Sequence, residues 1–330
     1  MRLGRLITRI DALPPAVGAL VMATTILSVG LHLLGVDWAS LAFLVVALGV
    51  WLLLAAVFVR HLLTERDRWR QEADTPPALT AVAATGVVGT RLSLLGWGPV
   101  SVLALCLTVL LWPLLMTHVL RHRGRSVPGA AYLVCVATQA IVVLACAVAT
   151  SSGWRWLLWP ALVLFVIGIL LYVLVLARFD FRQLAAGAGD HWIIAGAMSI
   201  SALAGSKLVA AAAPHGPLRW ATSLHDPLRI ATLVLLGVAL AWYAVLLCCE
   251  LRWPRPGYST KRWSTVFPLG MTAVAALSTS AALEIPWLWT LGKILLWPAV
   301  LVWAVVVLGA MRTLWRAKPR DDARTPVRRN

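Results

Sequence analysis

WSTVFPLGMTAVAALSTS, residues Trp263 to Ser280, decides how the chain is read. It is an apolar helical stretch interrupted near its start by Pro268, with a bulky aromatic, Phe267, just before the interruption and small or hydroxyl residues after it. Proline removes a backbone donor and crowds the preceding turn, so a kink is expected there and the carbonyl of Ser264 is freed. In lipid a freed carbonyl cannot stay bare. Such a helix is tolerated where it is buried in protein or borders a water-filled path. Phe267 either stands in such a path or packs beside a structural proline, and the hydroxyl residues after it favour the path.

The surrounding composition puts this stretch in a membrane. Of 330 residues, 61% are hydrophobic and 13% charged, with a mean hydropathy of +0.85. A soluble domain carries about a quarter charged residues. The apolar residues fall in blocks of about 20, enough to cross roughly 30 Å of hydrocarbon. This predicts an all-α polytopic protein with ten spans, near 14–35, 38–59, 77–95, 99–120, 129–150, 155–177, 191–213, 228–249, 263–284 and 286–311. The net charge of +16 does not imply nucleic acid as partner. Its basic residues sit in short loops and tails, with no aromatic platform. The five cysteines lie inside apolar blocks without zinc-ligand spacing, so no metal and no disulfide framework is expected. Arg2, Arg5 and Arg9 precede the first block like a signal-peptide n-region, but Pro14-Pro15 and the length of the block favour an uncleaved span.

Connections after odd spans are mostly short, as in Gly35-Val36-Asp37 and Gly96-Trp97-Gly98, and those after even spans are longer and more charged. That pattern predicts five helical hairpins. Twenty-three Lys and Arg residues fall on the side of the two tails and three, Arg155, Arg219 and Arg229, on the other. Both termini are therefore expected in the cytoplasm, with the spans in the inner, or plasma, membrane. Residues 1–311 form the membrane domain on this reading, and 312–330 a basic, disordered cytoplasmic tail.

Odd and even spans differ in kind. At 100° per residue each odd span gathers small or polar residues on one face. These are Gly18, Thr25, Ser28 and His32; then Gly86, Gly89, Thr90 and Ser93; then Gln139 with Cys135 and Cys146; then Gly196, Ser199 and Ser206; and finally Phe267, Met271, Val274 and Ser278. Even spans are mostly Leu, Val, Ala and Trp. Polar atoms facing lipid are costly, so the odd helices should form an inner ring with these faces lining a central pore. The rival account is close packing of helices through small residues. Tryptophans near span ends, among them Trp154, Trp156 and Trp287, read as an interfacial belt.

Arg91, Lys207 and Lys293 fall inside spans. Lys207 borders the small-residue face of its span and is expected to draw anions into an outer vestibule. Arg91 points away from such a face and should pair or snorkel, and Lys293 should snorkel. No carboxylate lies in the middle of a span, which weakens proton-relay and cation-pump readings. No catalytic signature is present: no His-Glu-x-x-His, Walker loop, dinucleotide-binding glycine pattern or nucleophile elbow, so neither enzyme activity nor a cofactor is expected.

Five segments, each in an odd span, resemble one family. They are PPAVGALVMATTILSVGLH (14–32), ATGVVGTRL (84–92), VATQAIVVLA (136–145), DHWIIAGAMSISALAG (190–205) and WSTVFPLGMTAVAAL (263–277). They look like the tellurite-resistance/C4-dicarboxylate transporter family, which includes the plant slow-type guard-cell anion channels. The resemblance implies ten helices in five hairpins, inner helices around a pore, and a homotrimer with one pore per subunit. It implies transport of small anions: C4-dicarboxylates such as malate, or chloride, nitrate, sulfite or tellurite. It also implies a phenylalanine occluding the pore from the ninth helix, a position matched by Phe267. Gly18 and Thr25 stand where that family pattern has an aromatic and a glycine, and Phe267 lies only five residues past Arg262. The reading is thus an anion channel or transporter. Its rivals are a proton-coupled dicarboxylate carrier on the same scaffold, a membrane-embedded enzyme and a non-transporting scaffold.

Overall fold

The computed structural model describes residues 17–121, 127–213, 223–255 and 257–316. Among these residues ten long helices follow one another: α1 Gly18–Leu33, α2 Asp37–Thr64, α3 Thr80–Leu94, α4 Gly98–Arg121, α5 Leu133–Ser152, α6 Leu158–Leu176, α7 Ile193–Ala212, α8 His225–Arg252, α9 Trp263–Leu283 and α10 Pro286–Arg316. They fall where the apolar runs fall, within a few residues. The last helix runs to Arg316, past the boundary expected at 311. The remainder of the tail, and the basic residues Arg2, Arg5, Arg9, Arg123, Arg125 and Arg219, lie outside the described residues.

Eight of these helices, all but α1 and α3, are long and apolar enough by themselves to cross a membrane. α1 has 16 residues and α3 has 15, about 24 and 22 Å of rise. The 3-10 turn Pro76–Leu79 leads into α3, and its paired prolines suit a helix start, where their missing N–H groups have no partner to lose. Tight reversals follow α1, α3 and α5, where Gly35, Gly96 and Gly153 take left-handed backbone at φ 76°, 81° and 71°. Glu284 closes α9 in the same region at φ 55° without the glycine advantage.

Each odd helix packs against the even helix that follows it. The odd helices also pack on one another in a closed order, α1 on α3, α3 on α5, α5 on α7, α7 on α9 and α9 back on α1. They run parallel: Gly270 of α9 faces Ile26 and Leu27 of α1, and one turn on Val274 faces Gly30. Burial separates the two sets. In the most apolar 18-residue stretch of α5, α7 and α9, 89% of residues are buried, against 17–33% in the five even helices. Leu and Val side chains of the even helices, such as Leu103, Leu110, Val163 and Leu301, are largely exposed. In an aqueous protein that would be an aggregation surface; in a bilayer it is where the acyl chains lie.

Close approach in the buried set depends on missing side chains. A Cβ on Gly86 would stand 2.9 Å from the Cβ of Ala140, and one on Gly18 would meet the Thr80 hydroxyl. With lipid outside, helix association rests on such contacts and on interhelical hydrogen bonds. Three of those bonds repeat one pattern. Indole Nε1–H groups of Trp51, Trp112 and Trp303 on α2, α4 and α10 donate at 2.9 Å to the hydroxyls of Thr85, Thr138 and Thr24 on the next odd helix. These tryptophans therefore stitch outer helices to inner ones, a role distinct from the interfacial belt. Trp303→Phe keeps an aromatic ring, smaller than the indole, and removes the bond. It is expected to cost about 0.6–1.7 kcal/mol in a detergent-phase unfolding measurement.

Candidate functional site

The buried faces of the odd helices meet at a narrow cavity of about 20 Å³, room for one water molecule. All five contribute: Ile26 and Val29 of α1, Val87 and Thr90 of α3, Ala140 and Val143 of α5, Ile200 and Leu203 of α7, and Met271 of α9. The lining is aliphatic apart from Thr90, whose hydroxyl donates to the carbonyl of Gly86. A hydrated ion passing here would lose water contacts and gain none from side-chain hydroxyls. A wall of this chemistry is a desolvation barrier to any ion.

Phe267 precedes Met271 by one turn and shares its face of α9, because residues four apart stack on a helix. The ring is 1% exposed. It lies over Gly196 of α7, where a Cβ would come within 3.0 Å of Cε1 and 3.3 Å of Cδ1, and within 2.9 Å of Pro268 Cγ. Pro268 lies inside a helix that continues unbroken from Trp263 to Leu283. Just beyond, the Ser199 and Thr272 hydroxyls pair at 2.7 Å, tying α7 to α9.

The remaining residues expected to line the path are spread more widely. Ser28 exchanges hydrogen bonds with Ser40 of α2, and Gln139 donates to the carbonyl of Phe165 on α6, so both turn toward outer helices. Thr25 and Ser206 bond carbonyls of their own helix, Val21 and Leu203. Gly86 packs on Ala140. Ser278 is buried in α9 but is not part of the cavity wall. His32 is paired with Asp37 at 2.6 Å in the α1–α2 turn, with its side chain 31% exposed. Of the expected lining, Thr90 and Met271 face the cavity. The physical reason is local satisfaction. A Ser or Thr in a helix can donate to the carbonyl one turn back, so its polarity does not force it toward water. The aliphatic lining carried no signal of its own, because Ile and Val look alike whether they face an axis or a lipid.

The charges within the spans also part company. Lys293 is exposed, as snorkelling requires. Lys207 is half-buried on α7. Arg91 neither snorkels nor forms an ion pair among the described residues. It is 1% exposed, its Nε and Nη2 donate to the Ser28 and Ser40 hydroxyls at 2.9–3.3 Å, and its Nη1 has no partner among the described residues. Ser28 and Ser40 donate to each other's carbonyls, so their oxygens are left to accept from the cation. Arg91→Met removes a buried charge and leaves the serine pair intact. It is expected to be neutral or stabilising in thermal melts. Ser40→Ala strips two of the three bonds from a retained cation and should cost about 2–3 kcal/mol.

Where α7 and α9 begin, ion pairs fix the approach to Phe267. Glu250 at the end of α8 accepts from Arg255 at 3.0 Å and Arg262 at 2.6 Å. Arg255 also donates to His191 Nε2 and to the carbonyls of Leu184 and Ala185, while Lys261 meets Asp190 at 3.3 Å. Trp263, Ser264 and Thr265 are already buried, so α9 starts inside the protein. That is how a ring only five residues past Arg262 comes to be enclosed.

These features define a multi-pass α-helical membrane protein whose buried helices meet at a small apolar cavity. The model of the SLAC1 family, described as voltage-dependent anion channel, matches residues 12–311, and the chain belongs to that family. Two uncharacterized membrane proteins of Mycobacterium tuberculosis, from strains CDC 1551 / Oshkosh and H37Rv, are each 29% identical over 135 residues, 38% of this chain. The match spans 64% of the length of those relatives.

Proposed function

We propose that the protein is a channel or transporter that lets small anions cross the membrane down their electrochemical gradient. The ten helices act as ten spans in five hairpins. The odd ones form an inner ring around the path, and Phe267 closes it one turn from the aliphatic neck. The observation that carries this reading is the closed cycle of five parallel, buried helices meeting at a neck lined from all five. The charge bias of the loops supports a plasma-membrane protein with both termini in the cytoplasm. The subunits assemble as a homotrimer on this reading, each chain with its own path.

Opening requires moving the ring and wetting the neck. Fixed positive charge near the path then favours anions over cations. Lys207 supplies part of it on this reading. Lys207→Gln is expected to lower anion flux about threefold at low ionic strength, and less as salt screens the charge. Liposome flux with chloride, nitrate, malate and sulfite in competition tests the proposal. Entry of at least one of them without a pH gradient supports it. Flux that vanishes without a pH gradient would turn the reading to a proton-coupled dicarboxylate carrier, and no flux at all would refute transport.

A further inference from the structure

Away from the axis, α2 and α4 each pack on α3 and leave a lateral groove between them. Its volume is about 350 Å³, within the range of small-ligand sites. We propose that this groove holds one acyl chain of a membrane phospholipid. The site is independent of the anion path.

The shape points to a chain. On α2 the lining runs from Trp51 to Leu62, about 16 Å of helix rise. That is roughly one leaflet's half of a 30 Å hydrocarbon core. The floor is made of small inner-helix residues, Gly18, Ala81 and Ala84. The rim residues Val59 and Leu110 are 50% and 69% exposed, so the groove opens sideways to the bilayer. An empty slot would forfeit dispersion contacts along its walls, and acyl chains are the solvent at that depth.

The polar groups of the lining are accounted for. Trp69 lies on the short helix Arg66–Ala73 and is 8% exposed, its ring held edge-on between Phe58 of α2 and His118 of α4 at 6.0 and 5.7 Å between centroids. Its Nε1 has no hydrogen-bond partner among the described residues. The other polar groups of the lining are engaged: Glu72 with His61 and Arg68, Thr80 with Pro77, and Thr85 with Trp51 and Ala81. With that nitrogen closed to solvent and the other polar groups engaged, the groove offers water no free polar side chain among the described residues, which suits an acyl chain.

The test uses the full chain in vesicles of phosphatidylethanolamine and phosphatidylglycerol containing a phosphatidylglycerol with a diazirine at its acyl end. Adducts are mapped by mass spectrometry after irradiation. Yield on Leu54–Val59 and Leu107–Leu111 is expected to exceed that on equally exposed Val234 and Val305 of α8 and α10. Ala55→Trp, which fills the groove from the outer wall, and Ala81→Phe, which fills it from the floor, should each reduce the surplus to the α8 and α10 level. Equal yield on all even helices, a surplus unmoved by the filling variants, or Leu110→Cys disulfides between copies in place of lipid adducts would overturn the proposal. Ala55 faces the groove from an outer helix, so its variant remains decisive if Ala81→Phe fails to insert.

Discussion

Phe267→Ala should raise chloride conductance in planar bilayers by at least about tenfold, the effect of removing about 1.4 kcal/mol from a barrier. The ring is 1% exposed and stands one turn from a cavity that holds about one water. Truncation is expected to open the vacated ring volume toward that cavity. The same change carries a stability signature. A Phe→Ala change in a dry core costs about 3–5 kcal/mol, because the space stays empty. If the enlarged space fills with water and anions, the loss should fall below that range while conductance rises. Phe267→Leu, with an intermediate volume, should conduct between the two. A folded, inserted Phe267→Ala protein with unchanged conductance would remove the ring from the mechanism.

Gly196→Val should destabilise the protein by about 1–3 kcal/mol and displace the Phe267 ring. Even a single Cβ at this position would lie 3.0 Å from the ring and 2.9 Å from Pro268, and valine adds two further carbons. The backbone of α7 cannot retreat freely, since Ser199 is bonded to Thr272 across the same contact. The ring is the softer neighbour. Valine is therefore expected to raise conductance while lowering melting temperature. In the double variant with Phe267→Ala part of the clash is gone, so the two stability losses should fall short of additive by about 1 kcal/mol. Strict additivity in detergent melts would mean that Gly196 and Phe267 do not share a contact.

How much of this could be read beforehand depended on what each residue type can signal. The ten helices were visible because apolar runs of about 20 residues end in glycine, proline or arginine. The difference between odd and even helices was visible because small and hydroxyl residues are rare where Leu and Val meet lipid. The wall of the axis was not visible. Thr25, Ser199 and Thr272 satisfy themselves on Val21, Ala195 and Pro268 of their own helices, so their polarity did not mark the direction of a path. The pairing of Trp303 with Thr24 crosses 279 positions, and no local pattern announces it. Arg91 was expected to find an acid or reach the interface, yet two serines from α1 and α2 hold it. Phe267 was singled out by its place before a proline inside an apolar helix, and its neighbour Gly196 by membership of a small-residue face. Their juxtaposition needed the fold.

The proposed axis should conduct anions once its ring is removed. The direct measurement is the reversal potential of the Phe267→Ala protein in a planar bilayer under a potassium chloride gradient. A reversal potential close to the chloride equilibrium potential is the predicted result. A potential following potassium, or no current from protein shown to be inserted, would contradict it.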